Sequence, residues 1–318
     1  MESMIDRSVA SRPSPTGVSA VVVASVFHYA GPSFAVLLFV HVGPLGVAWL
    51  RLASAALILC LWRRPWRVLR AATAQERRTM LAWGGVLAVM NAAFYLALDL
   101  APLATVASIE FLGVLALAAY GARTRRNLTA VALAVAGIAL LTQVSVAGSL
   151  PGLVWAAVNA LGFVLYVALG HRVATASRSV ERGSSSSDGV DRLAVAVLVA
   201  ACVSAPLGVI PALPAFTHPT WLAWAVAVGI CSTVIPYVAD QVAMARLPRA
   251  TYALLLSLLP VTATGCGLLV LGQVPSGQEL VGIALVGVGL ALHRPDEAER
   301  VPDRGRARAD ADGGDRRF

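Results

Sequence analysis

The chain has 318 residues, of which 58% are hydrophobic and only 13% are charged, and its mean hydropathy is +0.75. Soluble domains average about 25% charged residues, so this composition excludes an ordinary soluble protein and predicts an integral membrane protein. The formal net charge of +8 does not indicate a nucleic-acid-binding protein, because the arginines fall in short loops between apolar segments and not on one basic face.

Ten apolar segments follow a short polar tail at residues 1–17. Each is about 17–25 residues long, which is enough for a helix to cross a bilayer. Residues 294–318 interleave arginines with acids and are predicted to be a disordered tail. The predicted fold class is an all-α integral membrane protein with ten transmembrane helices, at residues 18–40, 44–62, 79–99, 103–121, 128–146, 150–172, 192–212, 220–243, 248–271 and 277–293.

The distribution of arginines predicts the orientation of these helices. Arginines occur in the loops after segments two, four, six and eight and in both tails, whereas the other five loops contain none. Short loops rich in Lys and Arg stay in the cytoplasm. Both termini are therefore predicted to be cytoplasmic, which agrees with an even number of spans.

The second half of the chain repeats features of the first. Aligning Pro102 with Pro248 also aligns Thr105 with Thr251, and further identities follow at a slightly larger offset. Five spans per half is an odd number, so the halves enter the membrane with opposite orientations. The predicted units are residues 18–146 and 150–293, an inverted repeat that is a common plan of secondary transporters.

Several motifs resemble the drug/metabolite transporter superfamily, whose members have two EamA-type repeats, and within it the threonine/homoserine exporter branch. The motifs are WLRLASAALIL at 49–59, WRRPWR at 62–67, MNAAFYLAL at 90–98, PLATVASIEFLGVLA at 102–116, and STVIPYVADQVAMARLPRATYALLLSLLP at 232–260. The resemblance implies a ten-helix, multi-pass exporter of small amino acids in the bacterial inner membrane. Two positions at which the branch usually has acids are here Leu259 and Gln273.

Two ionisable residues inside apolar segments are the first candidates for a site. Counted from the arginine-free ends of their helices, Arg51 and Glu110 both lie about 10 Å deep, and Asn91 and Asn159 fall at similar levels. Ionisable residues within membrane spans are rare and usually functional. Arg51 can bind a carboxylate and Glu110 an ammonium, as a zwitterionic amino acid requires. The alternative is that Arg51 and Glu110 only neutralise each other.

Six further residues complete the candidate set: His28, Tyr95, Trp155, Tyr166, Tyr237 and Asp240. Tyr95 shares a helical face with Asn91, and Trp155, Asn159 and Tyr166 are predicted to share a face along their own helix. His28 precedes Pro32 by four residues, so its carbonyl has no backbone donor in the helix. The alternatives are hydrogen bonds and packing between helices, and for Asp240 a salt bridge with Arg246.

These features favour a secondary transporter that exports a small molecule by alternating access, with protons acting on Glu110 or His28 as the candidate coupling ion. One alternative is a broad-specificity efflux protein for amphipathic compounds, which Leu259 and Gln273 favour. Another is a membrane-embedded enzyme, although no catalytic motif is present.

No cofactor, metal or nucleic acid is expected; the four cysteines lie in apolar segments without a CxxC pair. The expected partners are the substrate and the lipid bilayer.

Overall fold

The computed structural model describes residues 15–121, 125–145, 149–178, 186–246 and 258–292, and within these ranges every regular element is helical. One helix is interrupted by a π-turn at Ile230–Val234, between α9 and α10. The helices are α1 Pro15–Val36, α2 Pro44–Arg63, α3 Pro65–Ala71, α4 Ala74–Leu100, α5 Leu103–Gly121, α6 Arg125–Ser145, α7 Leu150–Arg178, α8 Ser186–Thr217, α9 Pro219–Gly229, α10 Ile235–Arg246, α11 Leu258–Leu271 and α12 Gly277–Leu292.

Each of the ten predicted segments coincides with a helix or with the interrupted helix α9–α10. The short helix α3 was not predicted; it lies within the arginine-rich loop after α2. The start of the ninth segment, residues 1–14 of the N-terminal tail, the C-terminal tail and residues 179–185 of the serine-rich insert at 177–191 lie outside the described residues.

Within the described parts of the chain, five helices are long and apolar enough to cross a membrane. They are Pro15–Val36, Pro44–Arg63, Ala74–Leu100, Gly189–Thr217 and Pro219–Asp240. The other predicted segments contain shorter apolar helices, at Leu103–Gly113, Leu128–Gly137, Leu150–Tyr166, Val261–Leu271 and Gly277–Gly289. The fold is therefore that of an all-helical membrane protein.

Local sequence signals explain where several helices begin. Thr73 and Glu76 form a reciprocal capping box at the start of α4, and Ser276 with Glu279 makes the same pair of hydrogen bonds at the start of α12. Such boxes satisfy backbone N–H groups that have no partner within the helix. Prolines occupy the first turns of α2, α3 and α9, where their missing N–H costs nothing.

Most of the closely packed helix pairs join a helix from the first half of the chain to one from the second half. α2 packs against α8, and α6 packs against α12. α4 packs against α7, and α1 against α10; similarly, α5 packs against α7, and α1 against α11. Glycines allow close approach in these pairs, since a Cβ at Gly46 would lie 2.8 Å from the Pro211 backbone. Small residues at helix contacts are typical of membrane bundles.

Two groups of buried apolar side chains lie on either side of the bundle's middle. The first includes Leu38, Val47, Leu98 and Leu103, and it joins α1, α2, α4 and α5 to α7, α8, α9 and α11 near the arginine-free loops. The second is centred on α2, α4 and α8 near the arginine-rich loops. Between them lies a polar cavity.

Candidate functional site

The cavity is small and enclosed by six of the predicted spans. Its volume is about 20 Å³, which is room for about one water molecule. Six of the ten candidate residues lie in its wall, although they are far apart in the sequence. The lining residues are His28 of α1, Arg51 of α2, Met90, Asn91 and Phe94 of α4, Glu110 of α5, Asn159 of α7, and Ser232 and Tyr237 of the α9–α10 region.

Arg51 is buried, with 6% of its surface exposed. Its Nη1 atom donates a hydrogen bond to the Tyr95 hydroxyl at 3.5 Å. The guanidinium carbon also lies 5.3 Å from the centre of the Tyr95 ring, within the range of a cation–π contact. The Arg51 Nε–H is buried without a hydrogen-bond partner. Arg51 therefore lines the cavity with one N–H group that makes no hydrogen bond.

Glu110 is also buried, with 4% of its surface exposed. Its Oε2 atom accepts no hydrogen bond. Arg51 and Glu110 both belong to the described part of the chain, and no direct ion pair joins them. The two ionisable groups share the wall of one cavity without neutralising each other in direct contact.

The two asparagines add one more acceptor and one more donor. Asn91 Nδ2 donates to the Ala48 carbonyl of α2 at 3.1 Å, while Asn91 Oδ1 has no partner. Asn159 of α7 approaches the Glu110 carboxylate, but its Nδ2 atom has no hydrogen-bond partner at a normal distance and angle. Buried polar groups are normally hydrogen-bonded, and unsatisfied ones require an explanation. Four such groups lie on one small cavity, which makes this cavity the candidate site.

Two helices next to the site contain a proline, Pro32 in α1 and Pro236 in α10, and the backbone differs between them. α1 is continuous through Pro32, and the His28 ring contacts the rings of Tyr29 and Tyr237, with centroids 5.5 and 6.2 Å away. The helix of Pro236 is interrupted, because the π-turn lies between α9 and α10. π-turns within helices are frequent at functional sites.

Two glycines allow the π-turn to lie close to both α1 and α2. A Cβ at Gly31 of α1 would lie 2.8 Å from the Ser232 backbone. A Cβ at Gly229, just before the turn, would lie 2.9 Å from the Arg51 carbonyl oxygen. The absence of these side chains lets Ser232 and Arg51 reach the same cavity.

Comparison with known proteins identifies the family. Residues 150–293 match the EamA-like transporter family. The threonine/homoserine exporter RhtA of Salmonella typhimurium strain LT2 is 33% identical over 280 residues, which cover 85% of this chain and 90% of that relative. The chain belongs to the EamA-like transporter family. The threonine/homoserine exporter RhtA of Escherichia coli strain K12 is likewise 33% identical to this EamA-like transporter, over 276 residues that cover 86% of the chain and 88% of the relative.

A solved crystal structure resembles this EamA-like transporter in fold. It has a TM-score of 0.51 and 20% sequence identity, and the match covers 87% of this chain and 94% of the other. Together, the family and the apolar helices identify a multi-pass transporter of the inner membrane. The predicted resemblance to the threonine/homoserine exporter branch is thereby confirmed.

Four candidate residues do not line the cavity of this EamA-like transporter. Tyr95 lies behind Arg51, as described above. Tyr166 lies behind Tyr237, with ring centroids 6.2 Å apart and planes inclined by 24°. Asp240 is partly buried one turn beyond Tyr237, and the predicted partner Arg246 has a side chain outside the described set. Tyr95 and Tyr166 thus support cavity residues from behind.

Trp155 lies away from the site. Its side chain is exposed, whereas Asn159, four residues later, is buried in the cavity wall. Trp155 lies in the second turn of α7, near the arginine-free end of the bundle. Tryptophans are enriched at this level of membrane helices because the indole suits the interface between lipid and water. The shared helical face was therefore a poor guide to this residue.

Three lining residues, Met90, Phe94 and Ser232, were missed by sequence reasoning. Ser232 precedes Pro236 by four residues, just as His28 precedes Pro32, so the same signal would have found it. Met90 and Phe94 had no such signal, because apolar residues next to Asn91 do not stand out in a membrane span.

Gln273 has a structural role in this EamA-like transporter. Its Oε1 atom accepts a hydrogen bond from the Leu103 backbone N–H at 3.2 Å, at the start of α5. Gly272 just before it has a φ of 66°, a conformation that suits glycine and reverses the chain after α11. Gln273 therefore caps the helix that carries Glu110. Leu259, the other position at which an acid was expected, is packed in the first apolar cluster.

Proposed function

We propose that this protein exports small neutral amino acids, with threonine and homoserine as the first candidates, by alternating access of two inverted five-helix repeats. The substrate class comes from the RhtA relatives, which are threonine/homoserine exporters. One observation carries the proposal. Arg51 and Glu110 line the same buried cavity, and no direct ion pair joins them.

The unsatisfied groups match the chemistry of a zwitterion. The guanidinium of Arg51 is the partner for the substrate carboxylate, and the carboxylate of Glu110 is the partner for the ammonium group. A zwitterion brings both countercharges into the cavity together, so neither side chain has to be neutralised by the other. Asn91 Oδ1 and Asn159 Nδ2 remain for a hydroxyl group on the substrate.

The small volume of the cavity supports a transport cycle with a conformational change. An amino acid is several times larger than the water molecule that the cavity can hold. Binding therefore requires the helices around Arg51 and Glu110 to move apart. The first apolar cluster closes the arginine-free side by joining helices of both halves, and opening towards that side separates them.

Helix contacts support the inverted repeat. We match α1, α2, α4, α5 and α6 with α7, α8, α9–α10, α11 and α12, in that order. The contact of α4 with α7 then corresponds to that of α10 with α1, and the contact of α5 with α7 corresponds to that of α11 with α1. The α2–α8 and α6–α12 contacts correspond to themselves. Such two-fold matching is expected when two repeats rock about a central site.

The polar lining disfavours the two alternative functions. Amphipathic drugs call for an aromatic, poorly charged cavity, whereas this lining includes an arginine, a glutamate and two asparagines. A membrane-embedded enzyme acting on lipid-borne groups calls for polar residues clustered at one interface. Here they lie within the bundle, about seven to nine residues from the arginine-free helix ends, or roughly 10–14 Å deep.

Uptake of labelled threonine and homoserine into inverted membrane vesicles tests the proposal, with and without an imposed proton gradient. Wild-type protein is expected to accumulate both amino acids. Glu110→Gln and Arg51→Gln are each expected to lower the initial rate at least tenfold, because each removes a charge that pairs with the substrate. If protons act on Glu110, Glu110→Gln also removes the dependence on the gradient.

Two matched variants control for general damage. Glu279→Gln alters an acid of a capping box in which glutamine serves equally well, and Arg70→Gln alters an exposed arginine of α3. Both are expected to transport normally. No accumulation of either amino acid by well-expressed wild type would refute the substrate. Full activity of Glu110→Gln and Arg51→Gln would refute the site.

A further inference from the structure

A second polar groove lies at the arginine-rich end of the bundle, outside the transport site. We name it the arginine groove; its volume is about 380 Å³, and it lies between the corner from α2 to α3 and the start of α8. Its lining residues are Trp62, Arg63, Arg64, Arg67, Val68 and Asp191. Three arginines therefore face a single carboxylate.

The carboxylate is already engaged by one of these arginines. Arg63 Nε and Asp191 Oδ1 form a direct ion pair that ties α2 to α8. Arg64 and Arg67 are exposed, and neither makes a hydrogen bond or ion pair through its side chain within the described part of the chain. The groove thus offers two unpaired guanidinium groups three residues apart.

The backbone at the corner is arranged to present these two arginines. Arg64 has a φ of 52°, the left-handed conformation, and its N–H donates to the Cys60 carbonyl at 3.1 Å to end α2. Pro65 then starts α3, and Arg67 follows within its first turn. Val68 and Leu69 of α3 also pack against the second apolar cluster, which holds the corner in place.

The surroundings of the groove are those of a membrane interface. Trp62 in its wall and Trp66 on α3 are both exposed, and exposed tryptophans mark the headgroup level of a bilayer. Leu57 and Leu61 of α2, one to two turns before the corner, are 62% and 75% exposed. A bare apolar helix face therefore leads directly to the unpaired arginines.

We propose that the arginine groove binds the phosphate of an anionic phospholipid. Arg64 and Arg67 hold the phosphate through charge-assisted hydrogen bonds, and the acyl chains lie along Leu57 and Leu61. Basic pockets of membrane proteins at the headgroup level bind anionic lipids in this way. A soluble phosphate compound would use the same two arginines but would leave the apolar face of α2 without a role.

Native mass spectrometry of the full-length protein in neutral detergent tests this proposal. Added dioleoyl-phosphatidylglycerol is expected to bind in preference to dioleoyl-phosphatidylcholine. The double variant Arg64→Gln/Arg67→Gln is expected to weaken phosphatidylglycerol binding about tenfold or more, because each arginine near a lipid headgroup contributes about a fivefold gain. The matched control, Arg77→Gln/Arg78→Gln, removes two exposed arginines of α4 outside the groove and is expected to keep wild-type binding.

Competition with inorganic phosphate separates the two sources of a phosphate group. Millimolar phosphate is expected to leave lipid binding unchanged; displacement of the lipid at that concentration would assign the groove to a free phosphate and overturn the proposal. Equal losses in both double variants, or no loss in either, would also overturn it. If the groove variant is unfolded by circular dichroism, the single variants Arg64→Gln and Arg67→Gln are compared with Arg77→Gln, each with an expected partial loss.

Discussion

Arg51 shows how a single buried cation is kept in a membrane protein. Removing a charge from water costs several kcal/mol even after relaxation. The Tyr95 side chain offsets part of this cost, because its hydroxyl accepts a hydrogen bond and its ring lies beneath the guanidinium. One Arg51 donor remains unsatisfied. In the proposed function, the substrate carboxylate supplies the missing acceptor.

Removal of the Tyr95 hydroxyl tests its role in holding Arg51. In Tyr95→Phe the ring stays in place, but the acceptor for Arg51 Nη1 is lost. A hydrogen bond to a charged group contributes about 1.5–3 kcal/mol, and this one is long, so we expect the KM for threonine to rise about fivefold with a smaller change in maximal rate. The measurement is the concentration dependence of uptake into inverted vesicles.

Tyr29→Phe is the matched control for that experiment. Tyr29 is fully buried near the site, and its hydroxyl has no hydrogen-bond partner. Loss of this hydroxyl is expected to change the KM less than twofold. An unchanged KM in Tyr95→Phe, or equal effects in the two variants, would contradict the positioning role of Tyr95.

At the scale of elements, the π-turn between α9 and α10 brings the site together. Pro236 has no N–H to offer the Ser232 carbonyl, so regular hydrogen bonding cannot continue through this segment. Within this segment the Ser232 hydroxyl donates a separate hydrogen bond to the Val228 carbonyl at 2.6 Å. The irregular turn is packed against both α1 and α2 at the level of the cavity. A local change in this turn is therefore transmitted directly to Arg51.

Gly229→Ala tests the close contact between this turn and α2. The added Cβ would lie 2.9 Å from the Arg51 carbonyl oxygen, and a backbone atom cannot rotate away. Overpacking of this kind costs about 1–3 kcal/mol, so we expect a lower Tm for the purified protein and a lower rate of transport.

Gly85→Ala provides the comparison for that variant. A Cβ at Gly85, within α4, meets no atom within 4 Å. Alanine is the better helix former by about 1 kcal/mol, so the Tm is expected to stay the same or rise. A Tm for Gly229→Ala at or above that of wild type would show that α2 and the turn can move apart without cost.

At the scale of the whole molecule, the arrangement of helices decides which parts of the chain face each side of the membrane. Short loops with arginines alternate with loops that contain none. The structure agrees with the grouping of the loops into two ends, since the rings of His41 and Trp221 are in contact at one end, with centroids 4.5 Å apart. Arg63 and Asp191 pair at the other.

Reporter fusions test the inverted topology. A reporter fused after Gly148 is expected outside the cytoplasm, and one fused after Ser184 inside, because five spans precede the first site and six precede the second. Alkaline phosphatase and green fluorescent protein give opposite signals for the two locations. The reverse pattern, or the same side for both fusions, would rule out two repeats of opposite orientation.

The class of protein and most of its helices could be predicted from the order of amino acids alone. Apolar segments of membrane-spanning length are unmistakable because lipid leaves the backbone no alternative to internal hydrogen bonds. The sequence also indicated candidate site residues, because polar residues are conspicuous in apolar segments; these are Arg51, Glu110, Asn91 and Asn159. The motifs of α2, α4 and α5 were sufficient to recognise the family.

Which polar residues face one another could not be predicted, because it depends on how the helices pack. Helical periodicity placed Trp155 and Asn159 on one face, yet packing of α7 buries only Asn159. Whether Arg51 pairs with Glu110 depends on distances between α2 and α5, and Gln273 reaches Leu103 across 170 positions of sequence. Contacts between distant segments depend on the packing of all the helices together, and no local pattern in the chain encodes them separately.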